Sequence, residues 1–256
     1  MKKDRVMLTP SFLDKPVPGL EAIAEPDWMM NKPNLPDGDT QTRMSAIHQP
    51  IADFMAATIA AGDRPVSLAG DCCAAIGALA GLQRAGVNPV FVWFDAHGDF
   101  NTWKTTPSGF LGGMPLAMMV GLGEQRMMAA VGCQPLPTNR VVLTDGRDLD
   151  PGEAKLVEES GIRHLPNVAD LLTMELPDGP LYVHFDVDVL NLADVPAVSY
   201  PAAGGPTAVE LAPVFRHLAQ TREITAVSTS FWNPELDVDG RSQKTCLSLL
   251  NDLLGD

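Results

Sequence analysis

The sequence predicts an α/β protein built on a mostly parallel sheet covered by helices on both faces. Three observations predict it. Short apolar runs of strand length alternate with stretches of helical period along most of the chain. Helix-start and helix-stop residues punctuate that alternation. The chain has 256 residues, 45% hydrophobic and 20% charged, which suits one compact domain spanning residues 1–256.

The elements follow in order. Residues 8–40 hold Pro10, Pro16, Pro18, Pro26, Pro33 and Pro36 and few long apolar runs. An extended, loop-like segment is expected there, and residues 1–40 are set apart as a proline-rich N-terminal part placed over an active-site rim. From Thr42 to Ala61 the apolar positions Ile51, Phe54, Met55 and Ile59 fall at helical spacing. Val66–Ala69 reads as a strand broken by Gly70 and Asp71. An alanine-rich helix from Ala74 to Ala85 stops at Gly86. Pro89–Val92 opens a buried strand that ends at Asp95, and 97–115 is a loop. Arg140–Leu143 is a strand, after which Asp150, Pro151 and Glu153 open a helix with an acidic cap. Leu181–Phe185 is a further strand. Thr207 and Glu210 form a capping box ahead of the stripe Leu211, Val214, Phe215 and Leu218. Ile224–Phe231 is a late strand, and the C-terminus is helical.

Composition excludes several functions. A formal net charge of −14 argues against nucleic-acid binding and against docking to anionic membranes. No run of about 20 apolar residues is present, as a membrane span requires. The start, Met1-Lys2-Lys3-Asp4-Arg5, leads into no apolar signal region, so a cytoplasmic protein is expected. Cys72, Cys73, Cys133 and Cys246 show no disulfide or zinc-finger spacing and are expected as thiols.

Two stretches carry chemistry. In Trp93-Phe94-Asp95-Ala96-His97-Gly98-Asp99 the three ionisable residues alternate, so an extended chain points Asp95, His97 and Asp99 to one side. Tyr182-Val183-His184-Phe185-Asp186-Val187-Asp188 repeats the pattern. A simple buried strand does not tolerate so many unpaired charges. Together they predict one polynuclear metal centre at the ends of two strands. Hard oxygen ligands with one or two imidazoles suit Mn²⁺, and two metals generate hydroxide near neutral pH.

The chain resembles the arginase/agmatinase (ureohydrolase) family in these stretches and in Ala69-Gly70-Asp71-Cys72-Cys73, Ser108-Gly109-Phe110-Leu111-Gly112-Gly113-Met114-Pro115, Arg147-Asp148-Leu149-Asp150-Pro151 and Asn233-Pro234, which occur in the family's order. The resemblance implies a three-layer α/β/α fold, two manganese ions and attack of a metal-bridging hydroxide on a guanidinium carbon with release of urea. It implies that Asp95 and Asp186 bridge the metals, that Asp99 completes one shell with a catalytic role, and that His97 and Asp188 complete the other. By family analogy the chain is a homo-oligomer, a trimer or hexamer, acting on a small-molecule substrate.

Three departures matter. Cys72 stands where the family places a histidine ligand; as a thiolate ligand it moves preference toward Zn²⁺ or Fe²⁺, and the alternative is an unligated thiol. Some family members acting on N-hydroxyarginine share that cysteine. Gly112 stands where the family has a proton-shuttling histidine, and Phe110 stands in place of an asparagine. Phe231 replaces a glutamate that pairs with the guanidinium, a charge-assisted contact worth about 1.5–3 kcal/mol. Phe231 and Trp232 are read either as core aromatics or as rings holding a cation or an uncharged group.

Asn101, Ser108 and Asp150 match positions that in arginases contact the α-carboxylate and α-amino groups. Asp150 is equally a helix cap, and Asn101 and Ser108 are equally polar loop residues. His184 shares the parity of Asp186, about 6–7 Å down the strand, and is read as a catalytic proton carrier, a ligand-orienting partner or a hydrogen-bonded core histidine. The expected function is binuclear-metal hydrolysis of a C–N bond in a guanidino, N-hydroxyguanidino or related amidine compound. The rivals are a same-fold hydrolase of an uncharged amide-like group and a metal-binding protein without catalysis.

Overall fold

The structure, a computed structural model, describes residues 2–255. Strand β1 (Asp4–Thr9) is followed by a small hairpin, β2 (Ser11–Phe12) and β3 (Lys15–Pro16), a one-turn helix α1 (Pro18–Glu21) and β4 (Met29–Met30). Then come α2 (Thr40–Ala60), β5 (Arg64–Ala69), α3 (Ala74–Arg84) and β6 (Val90–His97). Short helices α4 (Pro115–Met119) and α5 (Arg126–Ala130) precede β7 (Val141–Asp148), α6 (Pro151–Ser160) and β8 (Arg163–Leu165). The chain ends with β9 (Leu181–Asp186), α7 (Ala208–Thr221), β10 (Ile224–Ser230) and α8 (Arg241–Leu254). The large sheet has the order β4-β1-β5-β10-β9-β6-β7-β8, and its pairings are all parallel.

Alternation along the strands sorts the core into two faces. Met7, Phe91, Trp93 and Tyr182 pack with α2 and α3 on one side, while Leu8, Val92, Phe94, Val183 and Phe185 pack with α7 and α8 on the other. This is the three-layer α/β/α arrangement expected from the alternation of strands and helices. Helices α2 and α3 approach closely because Gly81 has no side chain: a Cβ there would lie 2.4 Å from the Ala52 carbonyl oxygen. Thr207 and Glu210 cap α7 as expected. The Glu210 N–H donates to Thr207 Oγ1 at 3.3 Å, and Glu210 Oε2 accepts from the Thr207 N–H at 2.8 Å.

The N-terminal segment departs from the loop expected for 8–40. Its first residues form β1, which pairs β5 in register from Asp4 with Arg64 to Thr9 with Ala69, and β4 adds a further parallel edge. The apolar part of β1, Val6-Met7-Leu8, is too short to declare itself among prolines and charges; the ladder to β5 fixes it. β6 runs two residues past Asp95 to His97, and β8, unread in the sequence, forms the opposite edge. Helix α2 starts at Thr40, where the Asp39 side chain accepts from the Thr42 N–H at 3.0 Å.

Candidate metal centre

The same alternation that buries Trp93 and Tyr182 carries Asp95 and Asp186 to the carboxyl ends of β6 and β9, where open parallel sheets bind ligands. Asp95 is 1% exposed. Its Oδ2 accepts from the Trp93 indole at 2.9 Å, and its Oδ1 accepts from the His97 N–H at 2.7 Å. Asp186 Oδ1 accepts from the Asp188 N–H at 2.8 Å, and Asp188 Oδ1 accepts from the Ala96 N–H at 3.2 Å. His97 Nδ1 lies 3.1 Å from Asp188 Oδ2 and 3.4 Å from Asp95 Oδ1. Asp99 has φ of +48°, a left-handed conformation that aspartate tolerates better than most residues and that clusters at functional sites. Its Oδ2 is buried with no hydrogen-bond partner.

Cys72 enters from the turn after β5. Asp71 builds that turn by accepting from the Cys73 N–H at 2.9 Å and from the Leu13 N–H at 2.8 Å. Cys72 Sγ lies 2.8 Å from Asp186 Oδ2 and 3.9 Å from Asp95 Oδ2. Donor atoms of Cys72, Asp95 and Asp99 lie within 4.8 Å of one another, as do those of Asp95, His97 and Asp188. Asp95 belongs to both groups.

The electrostatics match that geometry. Burial, then the Asp188 charge, raises Asp186 to about 7. Burial, then Asp95, raises Asp188 to about 6. Asp99 is pushed well above the usual carboxylate range by burial and Asp95. Burial opposes a charge on His97, but its bonds to Asp188 and Asp95 prevail and hold it up to about 12. Burial and the charges of Asp186, Asp99 and Asp95 push the Cys72 thiol up. Four buried carboxylates around one imidazole need added positive charge to ionise together. With the unpartnered Asp99 Oδ2, this donor set of oxygens, one imidazole and one sulfur fits a pair of divalent cations.

These groups line a cavity of about 770 Å³ that also meets Asn101, Ser108, Asp150, Phe231 and Trp232. Asn101 Nδ2 donates to Asp150 Oδ2 at 2.9 Å, so the two polar residues are joined to each other. Asp150 is also the cap position of α6, its N–H donating to Glu153 Oε2 at 3.1 Å. Ser108 is exposed, and its hydroxyl accepts from the Phe110 N–H at 3.2 Å. Phe231 and Trp232 are 7% and 2% exposed, with ring centroids 4.7 Å apart, and belong to the α7–α8 core while bordering the cavity.

His184 differs from the expectation of a proton carrier at the site. It is fully buried, lies outside the cavity wall, stacks on Trp93 at 3.9 Å and sits behind Cys72. Asp71, Asp148, Glu153 and Glu235 also line the cavity, none of them a site candidate from the sequence. Asp71 accepts the turn bonds just described. Glu153, read only as part of a cap signal, also accepts from the Phe100 N–H at 2.7 Å, tying α6 to the loop that carries Asp99; burial raises it to about 7.

A parallel α/β/α sheet with a buried acid cluster at its strand ends is a scaffold for a metal centre, and comparison with known proteins gives its family. The chain belongs to the arginase family: that family's model matches residues 23–255. It is 32% identical over 237 residues to an arginase of Bacillus caldovelox, covering 86% of this chain and 79% of the relative. It is 28% identical over 225 residues to an N(omega)-hydroxy-L-arginine amidinohydrolase of Streptomyces lavendulae, covering 87% and 76%. The crystal structure of an arginase from Bacillus subtilis superposes with a TM-score of 0.84 at 27% identity, over 100% of this chain and 99% of that one. No helix among the described residues is long and apolar enough to cross a membrane.

Proposed function

We propose that this chain hydrolyses a C–N bond in a guanidino, N-hydroxyguanidino or related amidine compound using two divalent cations. The observation that carries the reading is the carboxylate of Asp95, shared between two separate groups of donor atoms. Cys72, Asp95 and Asp99 would hold one cation and Asp95, His97 and Asp188 the other, with Asp186, 2.8 Å from the Cys72 sulfur, placed to contribute a further oxygen. Manganese suits the oxygen donors, and Cys72 admits zinc or iron. Bound cations there supply Lewis acidity and a water acidic enough to serve as nucleophile near neutral pH.

The chain's own residues do the rest. Asp99 would give its buried, unpartnered Oδ2 to a cation and leave its other carboxylate oxygen to take a proton from the nucleophilic water. Phe231 and Trp232 hold the reacting group in an apolar wall. His184, placed behind Cys72, positions the sulfur and does not touch substrate. The name of the Streptomyces relative favours an N-hydroxyguanidine, whose hydroxyl lowers the basicity of the head group and so its need for a carboxylate where Phe231 stands.

A second reading, hydrolysis of an uncharged amide-like group, is favoured by Phe231, which offers no charge to a guanidinium. The test is a manganese-loaded assay of arginine, agmatine, N-hydroxyarginine and simple amides. Release of urea or hydroxyurea supports the first reading. Ammonia from amides alone supports the second. Metal uptake with no turnover of any of them leaves a binding protein.

A further inference from the structure

We propose that the cavity selects a substrate whose tail is an aromatic ring without a carboxylate, packed against the cluster of Phe12, Phe110 and Tyr200. The inference rests on the amidine-hydrolase reading for the substrate's reacting head and adds the chemistry of its tail.

The first observation couples two positions. A Cβ on Gly112 would lie 2.4 Å from both Cε1 and Cζ of Phe110. The Phe110 ring therefore occupies the space that a side chain at 112 would take, and it borders the cavity with Gly112. Where a polar side chain could stand, the wall presents an aromatic face.

The second observation is convergence. Phe12 comes from the N-terminal hairpin, Phe110 from the loop after β6 and Tyr200 from the loop ahead of α7. Phe12 lies 6.1 Å from Phe110 at 11° between planes, and 6.1 Å from Tyr200 at 22°. Phe110 and Tyr200 are 5.0 Å apart at 32°. At these separations the three rings pack on one another, and a further ring can meet only the outer faces of the cluster that border the cavity. Tyr200 is 48% exposed, so this is a cavity border and not core.

The third observation is charge. Among the described residues no lysine or arginine lines the cavity, whereas Asp148, Asp150 and Glu235 do. The polar groups that would meet an amino-acid tail are only partly free: Asn101 donates one amide N–H to Asp150 and keeps an unpartnered Oδ1, an acceptor, and the Ser108 hydroxyl accepts from the Phe110 N–H and lies 3.3 Å from Thr106 Oγ1. A carboxylate tail meets acids and no lysine or arginine. A cationic aryl-alkyl amidine meets rings and a negative rim.

The test measures binding apart from turnover. Phenethylguanidine, agmatine and arginine are titrated calorimetrically into the full-length protein, chelated and manganese-loaded. The aryl compound is expected to bind about tenfold more tightly than agmatine, with arginine weakest. Phe110→Ala and Tyr200→Leu are each expected to weaken the aryl compound about fivefold more than agmatine. Arginine or agmatine binding as tightly as the aryl compound overturns the inference, as does equal weakening of both ligands in both variants. Turnover with manganese separates this from the underlying reading. Tight aryl binding with no C–N cleavage keeps the aromatic subsite and ends the amidine-hydrolase reading. Cleavage of arginine faster than of the aryl compound does the reverse.

Discussion

Cys72 Sγ lies 3.3 Å from His184 Nε2, and the far side of that imidazole is anchored: Nδ1 is 2.7 Å from Ser228 Oγ, which is 2.7 Å from the Tyr182 hydroxyl. Burial lowers His184 to about 3, so the ring is neutral and has one donor and one acceptor nitrogen. The buried chain from Tyr182 to Cys72 fixes the direction in which the sulfur faces Asp186 and Asp95.

If this chain orients a ligating sulfur, His184→Phe, which keeps a ring against Trp93, weakens divalent-metal binding by roughly tenfold or more. It also shifts the sulfur-to-metal charge-transfer band of the cobalt-loaded protein. Cys72→Ala abolishes that band, and Cys72→His retains or tightens manganese binding because imidazole suits Mn²⁺ better than thiolate. Wild-type protein with no such band would place the thiol outside the ligand set. A band that His184→Phe leaves unmoved would instead remove His184 from any role toward the sulfur.

Without metal, stability should fall as pH rises. Folding raises Asp186 from 3.8 to about 7 and Asp188 from 3.8 to about 6. Between those limits the folded protein holds protons that the unfolded chain has released, so the unfolding free energy decreases with pH. His97, raised from 6.5 to about 12, adds a contribution of the same sign that is lost as pH rises above 6.5. In chelator, Tm is expected to drop by roughly 5–10 °C between pH 5 and pH 8. Saturating manganese, about two ions per chain, should remove most of that drop, since metal competes with these protons. A flat chelated profile contradicts the assignment of these acids as an uncompensated cluster.

Phe231→Glu is expected to raise kcat/KM for arginine and agmatine more than for a neutral substrate. The new carboxylate would supply a charge-assisted partner worth about 1.5–3 kcal/mol at the position where the resemblance implies a glutamate. Wild-type turnover of arginine at the level of the arginase relatives would show that neither the glutamate nor the histidine missing at 112 is required.

Gly112→Ala is expected to destabilise the fold by about 1 kcal/mol, because its methyl meets the Phe110 ring at 2.4 Å and the ring must swing aside. In a Phe110→Ala background the same change should be close to neutral, a non-additivity that denaturation curves of the four proteins measure. Additive effects would show that the ring does not rest on Gly112.

The sequence by itself determined the parallel α/β architecture and the direction in which the strand-end acids point. Strand periodicity alone sends Asp95 and His97, and His184 and Asp186, to one face of the sheet, because the pleat alternates whatever the surroundings, whereas Asp99 lies past the end of β6 and reaches the cluster through its own left-handed backbone. The capping box at Thr207 and Glu210 is equally local. Strand β1 escaped that reading because its identity depends on partners distant in sequence: Arg64 to Ala69 of β5 supply its ladder. Glu153 looked like a cap residue, and only packing of α6 on the Asp99 loop gives it the Phe100 N–H. His184 had the right parity but the wrong depth; parity gives direction, whereas the stacking on Trp93 and the bond to Ser228 set how far it stands from the cavity. The contact of Phe110 with Gly112, and the meeting of Phe12, Phe110 and Tyr200, belong to the tertiary structure alone, since three separate loops must close on one mouth before their rings share a surface.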